Sequence, residues 1–283
     1  MSGERALREA VGRSARALHA RGWVANHDGN VTARLAGGRG GYLCTPTATS
    51  KADVTERNLL VLDERGERVS GDGKPFSELG LHLAVYVRRA DVHAVVHAHP
   101  PFATALALSG SRLLERLFLA EAVVSLGASV PTVPFALPGA PARAALEPYL
   151  DGFDAVLLAN HGVLTWGADV EQATLRMELV EHLARMAVEA ERVGGVRALP
   201  ESAMPALLAA RKQAGLGPEA RGPTAKGAPA HGTTIGAAPK RVVACAPAPA
   251  GSDVETIAPS RPATGELATL IREELTRALR DGR

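Results

Sequence analysis

Cysteine is scarce in this chain: Cys44 and Cys245 are the two among 283 residues, and they lie too far apart for a metal-type spacing. That argues against a disulfide framework and makes a reducing cytosol the expected compartment. Aromatic residues amount to 4%, which leaves little surface for stacking on bases. The 32 basic and 30 acidic residues leave a formal net charge of +2, so there is no electrostatic basis for nucleic-acid binding. No apolar run approaches the ~20 residues that span a bilayer. The opening MSGERALREAVGRSARALHARGW is charged throughout and has no signal-peptide core, so neither membrane nor export is expected. A glycine-rich strand-to-helix fingerprint of the dinucleotide or P-loop kind is also missing. Apolar residues, by contrast, make up 46% of the chain, enough for one large domain or two small ones.

Leu7, Val11, Ala15 and Leu18 recur at helical spacing and predict an amphipathic opening helix ended by Gly22. NVTARL and GYLCT, separated by AGGRGG, read as a hairpin. NLLVLDERGERVSGDGK continues with a strand, a turn and a short strand. Ser77 is placed to cap a helix over SELGLHLAVYVRRA. AVVHAH is the next strand, FATALAL a helix, and VPTVPFALPG an extended, proline-broken stretch. APARAALEPYL reads as a helix, DAVLLAN as a buried strand and DVEQATLRMELVEHLARMAVEAERVGG as a long amphipathic helix. Strands and helices mix irregularly. The expected fold is a three-layer α/β/α domain over residues 1–213 with a mostly antiparallel or mixed central sheet. Residues 214–263, rich in Ala, Pro and Gly, read as a disordered linker. Over 264–283, Leu267, Leu270, Ile271, Leu275, Ala278 and Leu279 form one apolar stripe on a helix too short to stand alone in water.

The chemistry-bearing stretch is AVVHAHP. In a strand, positions i and i+2 share a face, so His97 and His99 project side by side. Such a pair can be two polar residues closing a strand, or two ligands converging on a divalent ion. A third ligand is then required. His161, in AVLLANHGVLTW, follows an apolar strand at a turn; alone it reads as a turn residue, and with the pair it completes a three-imidazole zinc site with an open position. Glu78, in PFSELGLH, falls in the first turn of a helix. There a carboxylate stabilises the helix start, or beside a bound carbonyl substrate it moves a proton. The remaining histidines read as structural, with His27 close enough to the DGN loop to touch a substrate.

GN in DGNVTARL, TPT in CTPTATS, SE in PFSELGLH, HAHP and NHG occur in the order seen in class II aldolases of the L-fuculose-1-phosphate aldolase and adducin-head type, and residues 4–200 resemble that family. The resemblance implies an α/β/α domain, a cyclic homotetramer with active sites between subunits, and zinc on His97, His99 and His161. It further implies Glu78 as the acid/base residue and a phosphate pocket from Gly29, Asn30, Thr47 and Ser77. The implied reaction is cleavage of a short ketose phosphate, such as fuculose or rhamnulose 1-phosphate, to dihydroxyacetone phosphate and an aldehyde. The ion would act as a Lewis acid and stabilise an enediolate. A sugar-phosphate epimerase or dehydratase on the same scaffold is the alternative enzyme, and a non-catalytic scaffold the alternative outside enzymes.

The sequence departs from the pattern at named places. Ala48 stands where a glycine usually follows TPT, and Phe76 where a serine usually precedes SE. Fuculose-phosphate aldolases use tyrosines of a neighbouring subunit as proton donors. Tyr42, Tyr86 and Tyr149 are the three here, and none follows HAHP closely. Glu121 in FLAEAVVSLG reads as a solvated helix charge or as the replacement donor. The enzyme–tether–helix layout resembles cargo-targeting extensions of bacterial microcompartment enzymes, which implies a shell protein as partner for residues 264–283. A helix docked on its own domain and a dispensable extension are the other readings.

Overall fold

The computed structural model describes residues 2–35 and 40–220. The linker and C-terminal helix expected beyond Ala220 lie outside the described residues. Helix α1 (Ser2–Ala20) buries Val11, Ala15 and Leu18 completely, the stripe read from spacing, and Gly22 leaves the helix with φ at 70°. Eight strands follow in one sheet: β1 (Asn30–Arg34), β2 (Tyr42–Cys44), β3 (Leu60–Leu62), β4 (Arg68–Ser70), β5 (Ala94–Ala98), β6 (Thr132–Val133), β7 (Ala155–Leu158) and β8 (Gly162–Gly167). Their spatial order is β4-β3-β2-β1-β5-β8-β7-β6. Every pairing is antiparallel except β6 with β7, so the sheet is the mostly antiparallel one expected.

Helices α2 (Leu79–Arg88) and α5 (Ala140–Leu146) bear on one face of the sheet. Helices α1, α3 (Pro101–Ser109), α4 (Ala120–Leu126) and α6 (Val170–Arg192) bear on the other, with α7 (Met204–Gln213) packed against α4. Alternation along the strands builds both cores. Val95, Val156 and Leu164 point into the layer with Trp166 and Val85, while Val96, Leu157 and Val163 point into the layer with Met177 and Leu18. Among the described residues no helix is long and apolar enough to cross a membrane.

One local expectation needs correction, and one strand adds to those the sequence predicts. Ser77 does not cap α2. The N-cap position belongs to Glu78, no side chain caps the helix, and Ser77 sits exposed in the preceding turn. The segment after NHG is a fully buried six-residue strand, β8, which the glycines and the single Thr in GVLTWG did not announce. Its central position in the sheet, between β5 and β7, supplies the burial that local propensity lacks.

Candidate metal centre and adjoining cavity

Strand pairing assembles the site. Asn30 lies opposite His97 in the β1–β5 register, and Ala98 lies opposite Val163 in the β5–β8 register. The C-terminal end of β5 is thereby flanked by the DGN loop on one side and by the β7–β8 turn on the other. His97 follows Val95 on the same face and is 1% exposed. His99 lies one residue past the strand, its N–H donating to Trp23 O at 2.9 Å. Pro100 and Pro101 then open α3, so the proline after HAH ends the strand and begins a helix. His161 occupies the β7–β8 turn, held by its own N–H to Leu158 O at 3.0 Å, beside Asn160 at φ 57°.

The three imidazoles meet. Ring centroids are 4.9 Å apart for His97 and His99, 4.6 Å for His97 and His161, and 5.2 Å for His99 and His161. One nitrogen from each falls within 4.8 Å of the others. His97 Nε2 and His99 Nε2 are 3.1 Å apart, near the ~3.3 Å edge of a tetrahedron with bonds of about 2.0–2.1 Å. His97 Nδ1–H donates to Val163 O at 2.9 Å, which leaves Nε2 with its lone pair toward the cluster. Burial, and then the neighbouring imidazoles, hold His97 well below the usual histidine range; burial, and then His99, lower His161. Three imidazole nitrogens converging at this spacing are a donor set suited to a divalent cation, so these residues fit the metal.

Two glycines are required by this packing. A Cβ on Gly162 would lie 2.6 Å from Ala98 O and 2.6 Å from His99 Cδ2. The glycine of NHG is therefore what lets the turn lie against the second ligand. Gly29 has φ 70°, and a Cβ there would lie 2.3 Å from Val24 Cγ1 and 3.1 Å from His97 O.

Glu78, half-buried at the head of α2, shares a cavity of about 240 Å³ with His161, and its charge partly offsets the lowering of that imidazole's pKa. Leu81, Val133, Pro134, Phe135 and Leu158 give the cavity apolar walls. Of the expected phosphate ligands, Gly29 and Asn30 adjoin His97, and the buried Asn30 Oδ1 has no hydrogen-bond partner among the described residues. Thr47 and Ser77 are exposed, and the Thr47 N–H is already given to Lys74 O at 3.0 Å. Phe76, where a second serine was missing, belongs to the α2-side core. Glu121 is exposed in the first turn of α4 and does not line the cavity.

Lys51 and Asp28 were not anticipated. Lys51 is almost wholly buried; its Nζ donates to His27 O and Thr49 O, both at 3.0 Å, so it ties the DGN loop to the TPT loop. Burial lowers its pKa, and Asp28, Cys44 and Glu78 oppose that shift by their charge. Asp28 Oδ2 stands 3.6 Å from His99 Nδ1. In sequence, TSKAD reads as a surface loop and DGN as a turn; no local pattern marks either side chain.

Fold and site together define an α/β/α enzyme scaffold with a three-histidine cluster suited to a divalent metal. The family model for the Class II Aldolase and Adducin N-terminal domain matches residues 9–188, and the chain belongs to that family. It is an enzyme of that family. It is 33% identical over 178 residues to a methylthioribulose-1-phosphate dehydratase of Methylococcus capsulatus, covering 59% of this chain and 86% of that protein. It is 32% identical over 162 residues to a 5-deoxy-D-ribulose 1-phosphate aldolase of Bacillus thuringiensis, covering 56% and 74%. Among solved structures it resembles Escherichia coli YgbL, described as a candidate aldolase/epimerase/decarboxylase, with a TM-score of 0.66 and 30% identity over 72% of this chain and 98% of that one.

Proposed function

We propose that this protein is a zinc-dependent aldolase that cleaves a short ketose 1-phosphate to dihydroxyacetone phosphate and an aldehyde. The observation that carries this reading is the shared cavity of Glu78 and His161. His97, His99 and His161 would hold the ion, which when bound supplies Lewis acidity toward the substrate's carbonyl and adjacent hydroxyl. Gly29, Asn30, Thr47 and Ser77 would take the phosphate through backbone N–H groups and hydroxyls. Glu78, lining the same cavity as His161, would return a proton to the carbon beside the carbonyl after the carbon–carbon bond breaks. The bond's electron pair stays with the phosphate-bearing fragment, the other fragment leaves as the aldehyde, and Glu121 is the candidate for the proton exchanged at its oxygen. The apolar walls favour a substrate whose far end is alkyl, as in a deoxy or thioether-bearing ketose.

A homotetramer with active sites between subunits accords with Phe135 and Leu137, 63% and 66% exposed in the loop that walls the cavity. Glu121 would reach a site only across such an interface. Dehydration is the second reading: the Glu78 carboxylate removes a proton beside the carbonyl instead of returning one, and a hydroxyl on the next carbon leaves as water. The absence of tyrosine between Tyr86 and Tyr149 and the 33% identity to a dehydratase support it.

The test is a panel of ketose 1-phosphates incubated with zinc-loaded protein, with aldehyde release and water loss followed separately. Glu78→Gln should lower kcat by about 10²–10⁴ with metal content unchanged. Retained kcat removes Glu78 from the chemistry, and water loss without aldehyde release selects the dehydratase. Residues 264–283 remain a candidate shell-protein ligand. Their deletion should spare activity and abolish co-purification with shell protein, and retained association ends that reading.

A further inference from the structure

The two ligands of the HAH pair are held differently at their outer nitrogens. His97 Nδ1–H has a backbone partner, Val163 O at 2.9 Å. His99 turns Nε2 toward His97 and so leaves Nδ1 facing outward, 3.6 Å from Asp28 Oδ2. We propose that Asp28 is a positioning residue: its carboxylate accepts from His99 Nδ1–H, fixes that ring's tautomer and plane, and raises its basicity as a ligand. This rests on the reading of the triad as a metal site, and it assigns no direct ligation to Asp28.

The loop is built to hold the carboxylate there. Asn26 and Gly29 both have positive φ, 48° and 70°, so the chain doubles back across Asp28. The Asp28 N–H donates to Ala25 O at 2.9 Å. The Lys51 ammonium fastens the adjacent His27 carbonyl at 3.0 Å and attracts the Asp28 carboxylate by its charge. Gly29 packs against Val24 and the His97 carbonyl, which fixes the loop against β5. The contact is longer than a hydrogen bond, and a movement of about 0.5 Å closes it. Asp28 is 48% exposed at the site's edge, so its side chain has room for that movement. Outer carboxylates of this kind commonly contribute a factor of 10–100 in metal affinity.

The experiment measures zinc dissociation constants by chelator competition, without substrate, for wild type, Asp28→Ala, Asp28→Asn and the remote surface control Glu189→Gln. Visible spectra of the cobalt forms and melting temperatures of the metal-free proteins accompany them. Asp28→Ala should weaken zinc 10–100-fold and shift the cobalt bands. Asp28→Asn, which keeps an oxygen acceptor without the charge, should fall between Asp28→Ala and wild type, and the control should match wild type. If Asp28→Ala melts early when metal-free, Asp28→Asn decides. Affinities within twofold of wild type for both variants overturn the assignment while leaving the triad intact. Failure of wild type to bind zinc overturns the triad and this assignment together.

Discussion

Arg211 Nη2 donates to Asp154 Oδ2 at 2.7 Å, joining the last long helix to the residue that precedes β7. Arg89 and Arg176 reach the same carboxylate at 2.8 and 3.1 Å, and Asp154 is 1% exposed. One buried anion therefore links α7, α6 and the end of α2. Removing its charge takes one shared carboxylate from three buried guanidiniums, although Arg89 keeps Asp91. Asp154→Asn should cost about 3–5 kcal/mol, read as a lower urea midpoint with an unchanged m-value. Arg211→Met, which leaves Asp154 paired with Arg89 and Arg176, should cost less. A midpoint for Asp154→Asn equal to wild type would show that the ion cluster carries no stability.

His82 is wholly buried, and burial lowers its pKa to about 3; its Nδ1 shares a proton with Thr32 Oγ1 across 2.8 Å. The unfolded chain binds a proton near pH 6.5 that the folded chain refuses until about pH 3. Stability from this group is thus complete above pH 6.5 and falls as pH falls through that window, by at most about 1.4 kcal/mol per pH unit. His82→Gln should flatten the pH dependence of the urea midpoint between pH 7 and 5. His97 and His161, lowered in the same sense, retain their own share of the slope. An unchanged slope in the variant would place His82 outside the linkage.

Metal should stabilise the fold through the triad. At a free zinc concentration one hundred times Kd, linkage adds about 2.7 kcal/mol, a rise of several degrees in Tm for a domain of this size. His161→Ala should abolish the rise, and a chelator should reverse it in wild type. An equal rise in His161→Ala would place the ion elsewhere.

Gly162→Ala should disable the site from outside the ligand set. The added methyl would meet Ala98 O and the His99 ring at 2.6 Å, so either His99 or the turn must move, and the ring is the softer of the two. We expect zinc affinity to drop more than tenfold, with a stability cost of about 1–3 kcal/mol from overpacking. Calorimetry with zinc reads the first and urea denaturation the second. Unchanged affinity would mean that the turn shifts instead of the ring.

The candidate site was partly legible because its ligands sit at strand ends, where local pattern is strong. His97 and His99 announce themselves by spacing along an apolar strand, and Gly22 and the GN, HAHP and NHG elements fell where turns occur. β8 was missed because GVLTWG becomes a strand through the neighbours that bury it. Ser77 failed as a cap because the turn before α2 hands the N-cap position to Glu78. Lys51 and Asp28 carry no local signature: a lysine in a Ser/Thr/Asp loop reads as solvated until the chain closes over it.

Periodicity and turn chemistry in the chain settled the layered α/β/α fold, the strand that bears the histidine pair and the turn that ends the opening helix at Gly22. These follow from interactions between residues a few positions apart, which a linear reading captures. Antiparallel pairing carries His161, the third imidazole named from the sequence, to the pair from more than sixty residues away; only the folded chain decided that Asn30 lies opposite His97 and that Lys51 binds two separate loops. Those contacts depend on sheet register and burial, and register is a property of strands brought together by the whole core.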